Sequence, residues 1–288
     1  MEYRVKEIQC RCALHHHNSR RLPFKYDINV YRGCAHRCIY CYALYSHEYI
    51  QGGSLYNEIY AKVNIADALR RELPKFSREQ VNLGGVTDSY QPAERDYRLM
   101  PPVLELLARF KVPVSICTKS PLILRDLELL KSVNEAGGLM SAFTITTMDS
   151  TAAKLLEPGA PPPHERMAAI KEIKKQGIIC GVHLMPIIPY INSSEHSIDA
   201  LVCAAREAGA DYVLTGALNR KNSTFFESVR QSFPGEYGSI RKLYADKKAY
   251  KEYREDLDGI IARLRKRYGM PAYASIPRRR EAVQMSFF

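Results

Sequence analysis

Tyr31-Arg32-Gly33-Cys34-Ala35-His36-Arg37-Cys38-Ile39-Tyr40-Cys41-Tyr42 is the stretch that organises this chain. Its cysteines are spaced Cys-x3-Cys-x2-Cys, so it offers three thiolates and no obvious fourth ligand. A structural zinc site closes its tetrahedron with four protein ligands. A [4Fe–4S] cluster held by three cysteines leaves one iron open to a substrate or cofactor. The spacing therefore points to Cys34, Cys38 and Cys41 as cluster ligands, with a small zinc knuckle or three buried thiols as the alternative.

The rest of the chain bounds the setting. At 288 residues and 46% hydrophobic it is long enough for one large α/β domain or two small ones. No apolar run approaches a membrane span, and Met1-Glu2-Tyr3-Arg4-Val5-Lys6 lacks the charged-then-apolar pattern of a signal peptide. These features predict a cytoplasmic protein with no membrane partner. Its eight cysteines then read as thiols and cluster ligands rather than disulfides.

Lysine and arginine number 42 against 31 acidic residues, a net charge of +11. A basic surface attracts polyanions such as nucleic acid. The charge gathers in Arg241-Lys242, Lys247-Lys248, Arg263-Leu264-Arg265-Lys266-Arg267 and Arg278-Arg279-Arg280. A solvated helix face explains part of it equally well. Residues 248–268 look helical, with Glu252, Glu255, Asp256 and Asp258 interspersed.

Short β-rich runs alternate with amphipathic stretches. The expected strands are 27–31, 81–83, 112–116, 139–146, 178–185 and 211–215. The expected helices include 99–110, 123–136, 165–176 and 197–208. Gly137, Gly177 and Gly209 each follow a helical stretch, as left-handed caps do. Six strands alternating with helices predict an α/β fold with a parallel sheet. In such folds functional groups collect at the carboxyl ends of the strands. Those ends carry the cysteine motif, Gly84-Gly85-Val86-Thr87-Asp88, Cys117-Thr118-Lys119, Thr146-Thr147-Met148-Asp149, His183-Leu184-Met185-Pro186 and Thr215-Gly216.

The cysteine spacing, with aromatic Tyr40 before the third cysteine, resembles the radical S-adenosylmethionine (SAM) superfamily. Val86-Thr87-Asp88-Ser89-Tyr90-Gln91-Pro92-Ala93-Glu94 is similar to the Thr-Asp-x-Tyr-Gln-Pro-x-Glu signature of its spore photoproduct lyase-like (DNA repair photolyase-like) branch. Thr118-Lys119-Ser120, Leu156-Glu157-Pro158-Gly159-Ala160-Pro161 and Pro186-Ile187-Ile188-Pro189 extend the resemblance over about residues 20 to 220.

The resemblance implies a partial (βα)6 TIM-type barrel with a helical carboxyl-terminal tail. It also implies a [4Fe–4S] cluster and SAM, cleaved to a 5′-deoxyadenosyl radical. Tyr40, Gly84, Gly85, Thr87, Asp88, Lys119, Thr146 and Arg166 would surround SAM, with Lys119 paired to its carboxylate. Tyr40 and Tyr42 match tyrosines that relay a hydrogen atom in the spore lyases; packing beside the adenine is the alternative.

One departure stands out. Aligning Thr87-Asp88 with the Ser-Asp pair of the spore lyases puts their hydrogen-donating cysteine at Gly85, which has no thiol. Cys117, on the same strand face as Lys119, is the candidate substitute. His183 is either a pocket residue or a satisfied core histidine. Cys10, Cys12 and His15-His16-His17 resemble a metal site on paper, but spacing alone selects no metal for them.

The expected organisation is an extension (1–25), a radical SAM core (26–221) and a basic helical region (222–288). The expected activity is radical chemistry on nucleic acid, akin to DNA-lesion repair, fed by a reducing partner such as flavodoxin or ferredoxin. A peptide, protein or small-metabolite substrate is the alternative. A non-catalytic nucleic-acid-binding module stapled by a metal is the second.

Overall fold

The computed structural model describes residues 3–19, 22–47, 56–218 and 223–276. The Arg278-Arg279-Arg280 cluster lies outside them. The strands are β1 (Arg4–Ile8), β2 (His15–His16), β3 (Tyr26–Ile28), β4 (Tyr31–Arg32), β5 (Glu58–Lys62), β6 (Val81–Leu83), β7 (Val114–Thr118), β8 (Leu139–Thr144), β9 (Ile179–Ile187) and β10 (Val213–Ala217). The α-helices are α1 (Ile65–Glu72), α2 (Glu94–Tyr97), α3 (Met100–Arg109), α4 (Leu127–Ala136), α5 (Ser150–Leu156), α6 (Pro163–Lys175), α7 (Glu195–Glu207), α8 (Ser223–Ser232), α9 (Pro234–Ala245) and α10 (Lys247–Tyr268).

The six expected strands are present and pair in parallel in chain order, β3, β6, β7, β8, β9 and β10. The sheet is open, with β2 antiparallel on the β3 edge. Central strand β8 is buried over five consecutive residues, as a parallel strand covered on both faces must be. The expected first strand divides. Its start is β3, while Tyr31–Arg32 leaves the sheet and joins a second one of order β1-β5-β4. Charged Arg4, Lys6, Glu7, Glu58 and Lys62 blur the alternation of β1 and β5, so the sequence does not advertise this small sheet.

Local chemistry sets the helix boundaries. Asp149 caps α5 by accepting from Thr151 N and Ala152 N, Ser194 caps α7 through Ser197 N, and α6 opens on Pro163. Gly177 and Gly209 take left-handed φ of +68° and +77°, as expected. After α4 the left-handed residue is Gly138 at +95° rather than Gly137. Gly137 is needed for a different reason: a Cβ there would sit 2.5 Å from the Val112 carbonyl oxygen.

The tail is helical, as expected. Arg263 and Arg267 of α10 pair with Glu195 and Asp199 of α7 at 3.0 and 3.3 Å, so part of the basic run is neutralised within the chain. Beyond α10 the chain turns back, and Val213 N donates to the Pro271 carbonyl. Helices α8 and α9 bury Phe225, Val229 and Ile240 in a cluster with Cys38, Tyr40, Leu156 and Ile188. The tail therefore forms one wall beside the cysteine loop.

Buried Glu94 joins that loop's strand to the helices behind it. It accepts from Tyr31 Oη at 2.5 Å, Leu99 N and Met100 N at 3.0 Å, and Arg125 Nη2 at 2.7 Å. Removing a carboxylate so fully used leaves several donors unpaired, so Glu94→Ala is expected to cost about 3–5 kcal/mol by urea unfolding. Asp67→Asn, which breaks only the exposed pair with Arg70, should leave the midpoint unmoved.

Candidate active site

Strand β4 delivers the cysteine loop, which turns at Gly33 with φ of +86°. The segment after β6 then clamps it. Thr87 Oγ1 and Gln91 Nε2 both donate to the Gly33 carbonyl, at 2.6 and 3.0 Å, and Gln91 Oε1 accepts from Ala35 N at 3.0 Å. His36 Nε2 lies 3.0 Å from Asp88 Oδ2. On the far side Gly159 N donates to the His36 carbonyl, and a Cβ at Gly159 would overlap the Ala35 carbonyl. Ile39 N bonds to the Leu156 carbonyl, and Tyr56 Oη to the Cys38 carbonyl.

Asp88 is the centre of that clamp. Burial alone would raise its carboxyl. The neighbouring His36 imidazole and hydrogen bonds from Lys119 N (2.8 Å) and Thr118 Oγ1 (2.7 Å) outweigh it and hold the group well below the usual carboxylate range. Tyr90 N also donates to Asp88, at 2.9 Å. Both carboxylate oxygens, expected at a cofactor, are thus spent on protein.

Cys38 is buried, and Cys34 and Cys41 are half-buried. Burial raises all three thiols, Cys38 to about 12. Negative charge on Asp88, Cys38 and Cys41 raises Cys34 further. Among the described residues no three His, Cys, Asp or Glu side chains gather as ligands of a single metal ion do. A cluster is larger than one ion and takes its sulfurs from farther apart. A multiply charged metal group deprotonates coordinating thiols outright, so these raised thiols fit an iron–sulfur cluster.

Beside the loop lies a buried polar group with a second carboxylate at its heart. Tyr40 Oη donates to Glu157 Oε1, Thr146 Oγ1 approaches the same oxygen at 3.3 Å, and Arg166 Nη1 lies 2.5 Å from Oε2. Burial pushes Glu157 up, but Arg166 and Lys119 pull it below its ordinary value. Lys119 Nζ stands 5.7 Å from the Tyr40 ring centroid. Burial lowers Lys119, yet the opposing charges of Cys38 and Glu157 leave it raised. Arg166, expected near SAM, gives Nε and Nη2 to the Pro161 carbonyl and Nη1 to the Thr144 carbonyl.

Gly84 takes φ of +84° where β6 ends, and a Cβ there would lie 2.9 Å from the Thr87 carbonyl. Gly85 has no room for a side chain either, since its Cβ would meet Asp27 Oδ1 at 2.6 Å. Tyr42 is 56% exposed and donates to the Gly85 carbonyl. Cys117 Sγ lies 3.3 Å from Thr144 Oγ1 and 3.4 Å from His183 Nδ1. At the amino end, Cys10 bonds through its backbone to Asn64, and Cys12 Sγ lies 3.9 Å from His15 Nδ1.

Residues 28–201 match the radical SAM superfamily. The chain belongs to that superfamily. Membership makes it an enzyme family's member and implies an iron–sulfur cluster and SAM. It is 36% identical over 247 residues to the uncharacterized protein Rv2578c of Mycobacterium tuberculosis, covering 83% of this chain and 73% of the relative. It is 28% identical over 252 residues to the uncharacterized protein MJ0683 of Methanocaldococcus jannaschii, covering 87% and 90%. A mutant spore photoproduct lyase with bound AdoMet and dinucleoside spore photoproduct superposes with a TM-score of 0.68 at 15% identity, over 94% of this chain and 82% of that one. At that identity the likeness establishes the fold.

In this radical SAM chain the structure places Lys119 beside Tyr40, and Tyr42 on Gly85, in or against the cysteine loop. The sequence gives no site role to Glu157, His36 or Asn192, the last bonding Thr146 O and Ile188 N at 2.7 and 2.6 Å. A carboxylate set among apolar and proline residues, as in Leu156-Glu157-Pro158, was the available signal for Glu157. Among the described residues no helix is long and apolar enough to cross a membrane.

Asp88 gives the site a pH signature. Its folded pKa is depressed, so its contribution to stability is complete above the unfolded value near 4 and fades as pH falls toward the folded one. The destabilisation caused by Asp88→Asn, measured by urea unfolding, should therefore hold constant from neutral pH to about pH 5 and shrink below it. A pH-independent difference would show that the charge is not what the clamp uses.

Proposed function

We propose that this radical SAM enzyme acts on nucleic acid, with a [4Fe–4S] cluster held by Cys34, Cys38 and Cys41. The clamped loop carries the proposal: it holds one buried and two half-buried cysteines, and Lys119 Nζ stands 5.7 Å from the ring of Tyr40, between the second and third of them. When bound, the cluster and SAM would supply the radical chemistry needed to remove hydrogen from a substrate carbon.

In this reading Lys119 offers its charge to the SAM carboxylate, Gly84 and Gly85 present bare backbone, and Tyr40 is a wall of the site. Thr87, Asp88, Thr146 and Arg166 serve it by holding the loop and Glu157 in place. Residues 26–221 form the catalytic core, with 1–25 an extension and 222–288 a basic helical region. A low-potential electron-transfer protein of the flavodoxin or ferredoxin class would reduce the cluster.

The nucleic-acid substrate draws support from the +11 charge, from exposed Tyr42 as a surface for base stacking, and from the shared fold with a lyase whose structure holds dinucleoside spore photoproduct. A peptide, protein or small-metabolite substrate is favoured instead by Asp27, which fills the space where the spore lyases carry their donor cysteine.

The test is anaerobic. The protein is reconstituted with iron and sulfide, given SAM and dithionite, and assayed for 5′-deoxyadenosine with and without ultraviolet-irradiated DNA. Nucleoside formation should vanish in Cys34→Ala, Cys38→Ala and Cys41→Ala and rise with irradiated DNA. Formation indifferent to DNA moves the substrate to peptides or metabolites, and none from a loaded cluster removes the catalytic reading. Binding to duplex DNA should weaken by about 10²-fold or more between 50 and 200 mM salt if several phosphates are contacted.

A further inference from the structure

Positive charge that the fold does not use gathers on one face of the tail. From Arg241 to Arg254 the chain carries six cationic side chains, Arg241, Lys242, Lys247, Lys248, Lys251 and Arg254, against two acidic ones, Asp246 and Glu252. Asp246 is spent on capping α10, where it accepts from Lys248 N and Ala249 N. Glu252 stands 3.9 Å from Lys248, and Lys251 and Arg254 come no closer than 3.7 and 3.8 Å to Glu255 and Asp258. Loose, exposed pairs of this kind contribute little and yield to a stronger anion. Among the described residues Lys242 and Lys247 have no carboxylate partner. Arg241 lies over the Phe226 ring, 5.1 Å from its centroid. The apolar side chains that α10 buries, Leu257, Ile261 and Leu264, all come later in the helix.

Aromatic rings run beside this charge. Phe226, Tyr244, Tyr250 and Tyr253 follow one another with centroids 6.1, 5.2 and 6.2 Å apart. Phe226 and Tyr244 pack on the cluster that holds Cys38 and Tyr40, and Ile188 and Ile191 join the same cluster. Tyr190, between those two isoleucines in the chain, therefore stands beside both the cysteine loop and the aromatic row. It is 55% exposed, yet its backbone takes a left-handed φ of +65°, which a bulky residue rarely adopts. The loop is braced in that shape. Tyr190 N donates to Ser193 Oγ at 3.0 Å, and Asn192 Nδ2 donates to Thr146 O and Pro186 O at 2.7 and 3.1 Å. A strained backbone that holds a large ring out in water gains nothing from packing, and points to a ligand on the ring.

We propose that Tyr190 and the basic face from Arg241 to Arg254 bind single-stranded nucleic acid, with a base stacked on Tyr190 and phosphates along Lys242, Lys247 and Lys251. The proposal rests on the nucleic-acid reading above and adds that the strand is single and where it lies. An exposed ring beside a row of cations is what single strands use, because an unpaired base offers its whole face while a duplex hides it. Past Arg254 the sequence turns acidic at Glu255, Asp256 and Asp258, which ends the track in that direction. In the other direction α8 and α9 wall the cysteine loop, where exposed Tyr42 gives a second stacking place next to Cys41.

The test needs neither cluster nor turnover. The protein as isolated is titrated with fluorescein-labelled oligothymidylate and oligouridylate of about 15 nucleotides. Tyr190→Gly suits the left-handed φ, so it removes the ring without straining the fold, and its urea midpoint should hold. It should weaken binding by about tenfold and leave the salt dependence unchanged. The triple variant Lys242→Gln, Lys247→Gln, Lys251→Gln should flatten the slope of log affinity against log salt by about 2. The chain contains no tryptophan, so Tyr190→Trp supplies a single one on the loop, and saturating oligonucleotide should quench its emission. Wild-type affinity in Tyr190→Gly, or unchanged emission from Tyr190→Trp with the strand bound, overturns the proposal. So does a duplex of the same length that binds as tightly as the single strand, or no binding of either oligonucleotide at about 50 mM salt. Polyglutamate competing as well as the oligonucleotide also overturns it and makes the face a dock for an acidic protein. Binding as expected, with 5′-deoxyadenosine formation in the loaded enzyme indifferent to the strand, supports the surface and removes nucleic acid as the substrate.

Discussion

A single buried carboxylate, Asp88, fixes the geometry on which the site depends. The cysteine loop has almost no regular secondary structure of its own, so its position must be imposed from outside. Asp88 does this in two directions, toward His36 within the loop and toward Thr118 Oγ1 and Lys119 N at the end of β7. A buried anion without partners is costly, and with four it is locked to them. The thiols and the lysine expected to face SAM are therefore set relative to one another by one side chain. The signature segment from Thr87 to Glu94 is the cradle of the loop. Its polar atoms reach Gly33, Ala35, His36 and Tyr31.

Glu157 repeats this logic on the other half of the loop. Asp88 holds the stretch between Cys34 and Cys38 through His36, and Glu157 holds the stretch between Cys38 and Cys41 through Tyr40. Each carboxylate is kept ionised against its own burial by partners at close range. Arg166 spends its remaining donors on the Pro161 and Thr144 carbonyls, which ties Glu157 to α6 and β8. Supports of this kind hold reacting groups in place on rigid elements, before any cofactor arrives.

The six parallel strands were legible because the chain alternates apolar runs with amphipathic stretches, three of which end in Gly137, Gly177 and Gly209. The β1-β5-β4 sheet was not, because charged residues mask its alternation. In the site, the cysteines and Lys119 announce themselves by residue type and by place at strand ends. Thr87, Asp88 and Arg166 share that place, but sequence does not say which way a polar atom turns, and theirs turn into the protein. Glu157, His36 and Asn192 escape notice for the same reason. Their importance comes from burial among partners distant in the chain, such as the 117 residues between Tyr40 and Glu157.

The space at Gly85 is filled by protein. Burial holds Asp27 raised while Asn82 Nδ2 donates to it at 2.8 Å, and its carboxyl lies where a side chain on residue 85 would begin. Leu83 pairs with Ile116, so Gly84 and Gly85 leave β6 opposite Cys117 and Thr118 on the neighbouring strand. The chain keeps the loop and its clamp, and it closes the space beside Gly85 with a carboxylate of its own.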